Sequence, residues 1–463
     1  LTSCATRLDS MGGSAIDLLV LGVSHRTAPV AVRERLAVVP EAMDAVLAEL
    51  TALPSVREAA LLSTCNRVEI YAAIDADADR AAQGLSEALA QRAGVTALEL
   101  GAHLYERRDA EAVGHLFRVA ASLDSLVLGE PQILGQTKQA HEAAKRHGSA
   151  GAILNACFER AFRVARRVRR ETEIARNPVS VSSVAIELAR QVFGGFDKRQ
   201  VLIVGAGKMS ELAARTLRTH GATLTVTNRT RARADELAKQ FGATVRDWSD
   251  LPGALGAADI VIASTGAQRP VLTLEMMRQV QRARRGRPLF LLDIAVPRDV
   301  EPEVGSLDGI YLADIDDLQK VSAEHRDERK SEADDAEAIV AQELERFLKA
   351  WRGRQLGPTV TAFRAHVLGL AQAEAARAVA ANPGFGERER RAIAEVVESF
   401  AKKLLHAPQM ALRNDDADGV PLVVAVQRLF ALEVAAAAPL EAEADEVAAP
   451  ATADLKDKKA AGR

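Results

Sequence analysis

Gln200-Val-Leu-Ile-Val-Gly-Ala-Gly-Lys-Met-Ser210 is an apolar run that ends at two glycines and passes into a helical pattern reaching His220, closed by Gly221. A second run, Thr223 to Thr227, follows. Strand, glycine turn, helix and strand in this order predict a βαβ unit. Its turn sets backbone N–H groups at a helix N-terminus, where a pyrophosphate binds. The cofactor residues on this reading are Gly205, Ala206, Gly207, Lys208, Met209 and Ser210, with Ser210 standing where a third glycine is usual. Asn228-Arg229-Thr230 comes next, in place of an Asp or Glu that would take a ribose 2′-hydroxyl. Arg229, with Arg231 or Arg233, suits a 2′-phosphate, so Asn228 and Arg229 join the site and NADPH is expected over NADH. A plain helix-capping turn at Thr230 is compatible with this.

Working outward toward the C-terminus, strands near Ala243–Val245, Asp259–Ser264, Leu289–Ile294 and Gly309–Leu312 extend the alternation into a parallel, doubly wound sheet. Thr265-Gly266 and Asp293-Ile-Ala-Val-Pro-Arg298 fall at strand C-terminal ends, where such sheets bind ligands; Asp293 reads equally well as a loop-structuring residue. From Asp316 to about Gln355 the pattern turns charged and helical, with no Gly or Pro before Gly353. A helix of roughly 35–40 residues spans ~55 Å at 1.5 Å per residue. Helices Thr359–Ala381, Glu387–Leu405 and Val420–Ala438 follow, with His406-Ala-Pro408 between the last two. An all-helical module behind a long polar helix reads as an oligomerisation unit or as an ordinary helical subdomain. From Pro439 the chain is rich in Ala, Glu and Lys and is expected to be disordered.

Toward the N-terminus, Ile16–Val23 is an apolar strand ending in the polar loop Ser24–Pro29. A helix of about Pro40–Leu53, a hairpin over Leu61–Ile74 and a helix near Ala78–Ala93 complete a small α/β sandwich of two layers. The hairpin turn holds Cys65 between Thr64, Asn66 and Arg67. Cations and hydrogen-bond donors favour a thiolate nucleophile there, although a free cysteine is also often a small buried hydrophobe. Asp109 is placed to cap a helix whose Val113, Leu116, Phe117 and Ala120 share a face, with His115 off that stripe. Ser122 to Gln136 is a loop in which Pro131 can open the next helix. Its Ser125, Glu130, Gln132 and Gln136 either satisfy one another or line a polar pocket. Arg160, Arg163, Arg167 and Arg170 share one helical face, which reads as a solvated surface or as a contact for phosphates. Asn177-Pro178 breaks the chain before a helix Val179–Phe193, which Gly194-Gly195 ends.

The 463 residues suffice for about three domains. A net charge of −3 gives no global pull toward nucleic acid, so any RNA contact must come from a local patch. Cys4, Cys65 and Cys157 have no metal-ligand spacing, so no metal is expected and a reducing cytoplasm fits. No apolar run approaches the ~18 residues of a membrane span, and the first sixteen residues lack a signal-peptide core.

The segments Gly22–Pro29, Ser63–Glu69, Leu123–Gln136, Gly205–Met209, Asp293–Asp299 and His406–Pro408 together resemble glutamyl-tRNA reductase over about residues 17 to 437. The resemblance implies NADPH-dependent reduction of glutamyl-tRNA(Glu) to glutamate-1-semialdehyde through a cysteine thioester, the entry to tetrapyrrole synthesis. It implies Cys65 as nucleophile, an activity-relevant histidine at His115, and substrate contacts at Thr64, Asn66, Arg67, Ser125, Glu130, Pro131, Gln132 and Gln136; proton donation is the role hypothesised for His115, beside its reading as a helix-surface histidine. It further implies a homodimer with the long helix as spine, and glutamate-1-semialdehyde aminomutase as a candidate partner. The fold class expected is α/β, in parts. These are an N-terminal extension (1–16), a catalytic, glutamate-recognition α/β domain (17–155) and connecting helices (156–196). A Rossmann-type NADPH domain (197–315), a spinal helix with a helical dimerisation domain (316–437) and a disordered tail (438–463) follow. Two alternatives stand beside it: a shikimate-dehydrogenase-like NADP oxidoreductase, and a non-catalytic NADP-binding dimeric scaffold.

Overall fold

The computed structural model describes residues 16–75, 77–175, 181–193, 196, 199–318, 330–413 and 422–432. The expected extension and tail, Asn177-Pro178, Gly194-Gly195 and the end of the last helix lie outside these residues.

Strand β1 (Leu18–Ser24) is buried along its whole length. Helix α1 (Val30–Leu36) follows Pro29 directly, a helix the sequence reading passes over. The expected Pro40–Leu53 helix is a short 3-10 turn followed by α2 (Met43–Thr51). Strands β2 (Val56–Ser63) and β3 (Arg67–Ile74) form the expected hairpin. Helix α3 (Ala78–Ala93) is capped by the Asp77 side chain and closed by left-handed Gly94. A short α4 (Ala97–Gly101) begins at a Thr96–Glu99 capping box. Strand β4 (Tyr105–Arg108), too short and charged to show in the sequence, completes an antiparallel sheet of order β2-β3-β1-β4. In α5 (Asp109–Ala120) Asp109 is the first helical residue, not the cap; Arg108 holds that position and no side chain caps the helix. Helices α6 (Gln132–His147) and α7 (Ala152–Glu171) complete this region, with Pro131 opening α6 as expected.

The period-two alternation of β1 decides the layering. Leu18 and Val20 pack with α5, α6 and α7, while Leu19, Leu21 and Val23 pack with α1, α2 and α3. The sheet is therefore covered on both faces, three layers rather than the two expected. A strand apolar on both faces leaves no polar side to mark it as half-exposed.

The second sheet follows α8 (Val181–Phe193). It is built from β5 (Gln200–Val204), α9 (Lys208–Thr219), β6 (Thr223–Thr227), α10 (Arg231–Phe241) and β7 (Thr244–Val245). Next come α11 (Leu251–Ala257), β8 (Ile260–Ala263), α12 (Leu274–Arg284), β9 (Leu289–Asp293) and β10 (Ile310–Asp314). All six strands are parallel in the order β10-β9-β8-β5-β6-β7. Val201 and Ile203 face one apolar cluster and Leu202 and Val204 the other, as a doubly wound sheet requires.

Helix α13 (Lys330–Ala381) has 52 residues and runs through Gly357-Pro358, where two helices were expected. A helical proline costs about 3 kcal/mol. Packing on both sides offsets it: Ile339, Leu344, Phe347 and Trp351 sit in the first core, while Phe363 and Val367 pack against Ala401, Leu405 and Val426. Helix α14 (Glu387–Arg413) likewise continues through His406-Ala-Pro408, expected to be a break, and α15 (Leu422–Leu429) follows. Val396, Phe400 and Leu404, four residues apart on α14, are 68%, 66% and 55% exposed, an apolar stripe that none of the described residues covers.

Candidate functional site

The turn between β2 and β3 is built by Thr64. Its Oγ1 accepts the N–H groups of Asn66 and Arg67, both at 3.2 Å, and its own N–H donates to the Arg67 carbonyl at 2.9 Å. Cys65 sits at the tip, half-buried. It packs on an apolar cluster that includes Val30, Leu126 and Val127 and reaches into the second sheet, where Ala206 and Met209 pack on the same cluster, so one apolar seam runs from the cysteine turn to the glycine turn. Gln132 at the start of α6 crosses the same seam, donating to Met209 Sδ at 3.3 Å.

Arg67, expected to face substrate or favour the thiolate, is engaged elsewhere. It is 1% exposed and donates to Glu69 and to the backbone and carboxylate of Asp124. Glu69 is completely buried and also accepts from Tyr71, Tyr105 and His115 Nε2, the last at 2.9 Å. Burial opposes both charges, but Glu69 and Asp124 hold Arg67 above its ordinary pKa, and Arg67 and His115 hold Glu69 well below the carboxylate range. Gly22 on β1 makes room: a Cβ there would lie 2.8 Å from the Glu69 Cα. His115 is thus a member of this network rather than a surface side chain. Arg26, half-exposed, pairs with the other oxygen of Asp124 at 3.1 Å.

The thiol reverses the sequence expectation. Burial first, and the Glu130 charge second, push Cys65 up to about 12, outweighing Arg33 and Arg67. Glu130, 6% exposed, is itself pushed up to about 7 by burial. His25, whose N–H donates to the Asn66 carbonyl at 2.7 Å, is pushed down to about 3 by burial and the nearby Arg67 and Arg26. Of the loop residues, Ser125 and Glu130 are buried, Pro131 is exposed and Gln132 and Gln136 are half-buried. Ser122 Oγ donates to the Glu130 carbonyl at 2.7 Å, and Gly129, at φ 79°, lets the loop pass the Ile174 carbonyl. Asn66 Oδ1 is buried and finds no partner among the described residues.

A cavity of about 460 Å³ opens between α6 and the second sheet, lined by Gln132, Gly135, Gln136 and Gln139 on one side and Ala206–Met209, Asn228, Arg233 and Ser264–Gly266 on the other. One wall carries a glycine turn at a helix N-terminus, where a pyrophosphate binds. Gly205, at φ 109°, lies where a Cβ would stand 2.2 Å from the Ser264 carbonyl, and Gly207 heads α9 with open space beside it and no capping side chain. Ser210 is buried in the helix–sheet packing. Of the three arginines after β6, Arg233 lines the cavity, Arg229 lies over the Trp248 ring at 6.0 Å, and Arg231 is held by Asp235 and Asp247. Thr230 occupies the cap position of α10 without a side-chain cap bond. Asp293 structures its loop, accepting from Ala295 N at 3.1 Å and Val300 N at 2.9 Å.

The basic face of α7 turns inward: Arg160 and Arg167 pair with buried Glu343 of α13 at 2.8 and 2.7 Å. Arg166 and Arg170 remain exposed. Residues the sequence reading passes over are Arg26, Arg33, Glu69, Tyr71, Tyr105 and Asp124. A signal existed for two of them, since Arg67, Glu69 and Tyr71 share one face of β3 by the period of two. Among the described residues no His, Cys, Asp and Glu group could hold a metal ion, and no helix is long and apolar enough to cross a membrane.

Comparison with known proteins gives three family matches: the glutamyl-tRNA(Glu) reductase N-terminal domain over residues 21–172, shikimate/quinate 5-dehydrogenase over 187–321, and the glutamyl-tRNA(Glu) reductase dimerisation domain over 335–432. The glutamyl-tRNA reductase of Syntrophotalea carbinolica is 44% identical over 420 residues, covering 90% of this chain and 95% of that protein. That of Syntrophus aciditrophicus is also 44% identical over 420 residues, covering 90% and 99%. A solved glutamyl-tRNA reductase from Methanopyrus kandleri is 28% identical, covering 90% of this chain and 98% of that one, at a TM-score of 0.47.

Proposed function

The chain belongs to the glutamyl-tRNA reductase family, and from that premise we propose that it reduces glutamyl-tRNA(Glu) with NADPH to glutamate-1-semialdehyde and releases the tRNA. The reaction is the first step of tetrapyrrole, 5-aminolevulinate, synthesis. The observation that supports this best is the apolar cluster on which Cys65 and the glycine-turn residues Ala206 and Met209 all pack, which joins an acyl acceptor to the dinucleotide cleft through one core.

Cys65 Sγ attacks the aminoacyl ester carbonyl, a thioester forms and the tRNA 3′ oxygen leaves. A thiol near 12 needs a base, and Glu130, near 7 and charged against that thiol, suits the proton transfer. Thr64, Asn66, Arg67, Ser125, Glu130, Pro131, Gln132 and Gln136 form the substrate pocket. Arg67 acts within it by fixing the turn, because its guanidinium is directed at Glu69 and Asp124. The buried side-chain amide oxygen of Asn66, Oδ1, which has no partner among the described residues, is an acceptor for the substrate ammonium. His115 serves through Glu69. Gly205–Ser210, Asn228 and Arg229, with Arg233 beside them, would hold NADPH, which would supply the hydride for reducing the thioester to the aldehyde. Cys65 is then expelled as thiolate, a far better leaving group than alkoxide.

The exposed stripe of α14 lies within the matched dimerisation domain and forms the face of a homodimer. Residues 17–155 carry catalysis and 197–315 the cofactor. The enzyme works in the cytoplasm, and glutamate-1-semialdehyde aminomutase is the partner proposed to receive its reactive product.

Incubation with labelled glutamyl-tRNA without NADPH, followed by peptide mapping, tests the mechanism: label belongs on Cys65, and label on any other residue overturns it. A shikimate-dehydrogenase-like oxidoreductase would not need the thiol, so full activity in Cys65→Ser would favour that reading.

A further inference from the structure

We propose that Arg33 is a positioning residue that couples the placement of Cys65 to the docking of the dinucleotide-binding sheet, with Asp316 as its latch. Arg33 is 1% exposed, and its guanidinium is divided among three acceptors: Nε donates to the Ala28 carbonyl at 3.1 Å, Nη1 to the carbonyl of Cys65 itself, and Nη2 to Asp316 Oδ1. Asp316 lies two residues beyond β10, on the other sheet, and its Oδ2 accepts the Val30 N–H of α1 at 2.7 Å. The residue after Arg33 repeats the connection. Glu34 takes Arg298 by two side-chain bonds, 3.0 and 2.6 Å, and by the Arg298 N–H at 3.2 Å. Arg298 follows β9, the neighbour of β10. One short helix thus ties the nucleophile turn to the C-terminal ends of two adjacent cofactor-sheet strands, and neither ion pair lines the dinucleotide cavity.

A clamp serving only to hold two domains together would not need to pass through the carbonyl of the nucleophile. Here it does. Separating the sheet removes Asp316 and leaves the guanidinium only the Ala28 and Cys65 carbonyls among these acceptors, and breaking such an ion pair is disfavoured. The setting of the Cys65 peptide and the docking of the sheet therefore share one free-energy term, and coupling of this kind acts equally in both directions. Acylation by a bulky tRNA does not require the docked sheet; reduction does. The latch consequently governs the second half-reaction more than the first, an inference that rests on the proposed acylation of Cys65 before reduction.

The test compares Asp316→Ala, at a site 29% exposed and so tolerant of change, with the parent protein. Three rates are read: Cys65 acylation by glutamyl-tRNA without NADPH, single-turnover reduction of the isolated thioester, and alkylation of Cys65 by iodoacetamide, followed by peptide mapping. Acylation is expected to stay within about two-fold while reduction falls about ten-fold, in the range of ordinary coupling energies. Alkylation is expected to rise several-fold as the seam opens. Glu34→Arg with Arg298→Glu is expected to recover most of the reduction rate that Arg298→Glu alone loses. Equal losses in both half-reactions, or unchanged reduction and alkylation, would overturn the coupling. Failure of the parent to acylate at Cys65 would instead overturn the proposed function, and the alkylation rates would still decide whether the latch exists.

Discussion

Titrating the reactivity of Cys65 separates two accounts of how it works. Cations at its turn argue for a thiolate at neutral pH; burial and Glu130 argue for a thiol near 12 against an ordinary 9.0. At pH 8 that difference leaves about one thiolate in 10⁴, where an ordinary cysteine has about one in ten. Alkylation by iodoacetamide, followed at the Cys65 peptide from pH 6 to 10, is therefore expected to accelerate without reaching a plateau. The slope rather than the absolute rate carries the answer, because partial burial slows the reagent at every pH. Glu130 adds a second signature. It ionises near 7, and the value near 12 already includes its charge, so the thiol is raised less below pH 7 and the slope is expected to fall below ten-fold per pH unit between pH 6 and 8. In Glu130→Gln the slope is expected to return to ten-fold and the rate at pH 8 to exceed the parent rate. Acylation by glutamyl-tRNA is expected to move the other way in that variant, since the proton acceptor is gone. A plateau near pH 7 in the parent would show a stable thiolate and would remove Glu130 as the base.

Glu130→Gln also bears on stability. The folded pKa of about 7 stands above the ordinary 4.5, so the favourable neutral state is fully present below 4.5 and its contribution is lost as pH rises through 7. At pH 9 the variant is expected to gain at most about 3 kcal/mol over the parent, and at pH 4.5 little, by urea unfolding at the two pH values. Glu69→Gln leaves buried Arg67 with Asp124 as its remaining carboxylate partner among the described residues and is expected to cost about 3 kcal/mol, the low end for breaking a buried pair, with a lower melting temperature than His115→Gln, which removes only one of the bonds to Glu69. Arg160→Gln with Arg167→Gln is expected to lower the melting temperature by leaving buried Glu343 with the exposed Arg346 in place of three arginines, while leaving the salt dependence of tRNA affinity unchanged. A reduced salt slope with an unchanged melting temperature would return that helix face to the RNA.

How much was legible depended on what each residue type reveals by itself. The parallel sheet was readable because its central strands β5, β8 and β9 are apolar runs, β5 is closed by Gly205, and most intervening helices are long enough to show their period. Strand β4, with sequence Tyr-Glu-Arg-Arg, has neither run nor alternation and exists only because β1 offers it an edge. Helix α1 is seven residues behind a proline, too short for periodicity. The prolines in α13 and α14 misled for the opposite reason. Local propensity opposes a helix there, and contacts with residues far away in the chain override it.

The site shows the same division more sharply. Residue identity marked Cys65 and the glycine turn, because chemistry restricts which side chains can serve there. The sign of the electrostatics was not legible. Arg67 beside Cys65 looks like a cation lent to a thiol, yet two residues later on the same strand face stands Glu69, and the two neutralise each other in the core. With Arg67 spent on Glu69 and Asp124, the field at sulfur is set by burial and by Glu130, which arrives from sixty-five positions away. The pairing of Arg67 with Glu69 needed only the period of two. The approach of Glu130 and of Arg33 needed the packing of α5, α6 and α1 around the hairpin, which no local pattern encodes. A cysteine turn can thus be found by its neighbours in sequence, but whether it starts as thiol or thiolate is decided by its neighbours in space.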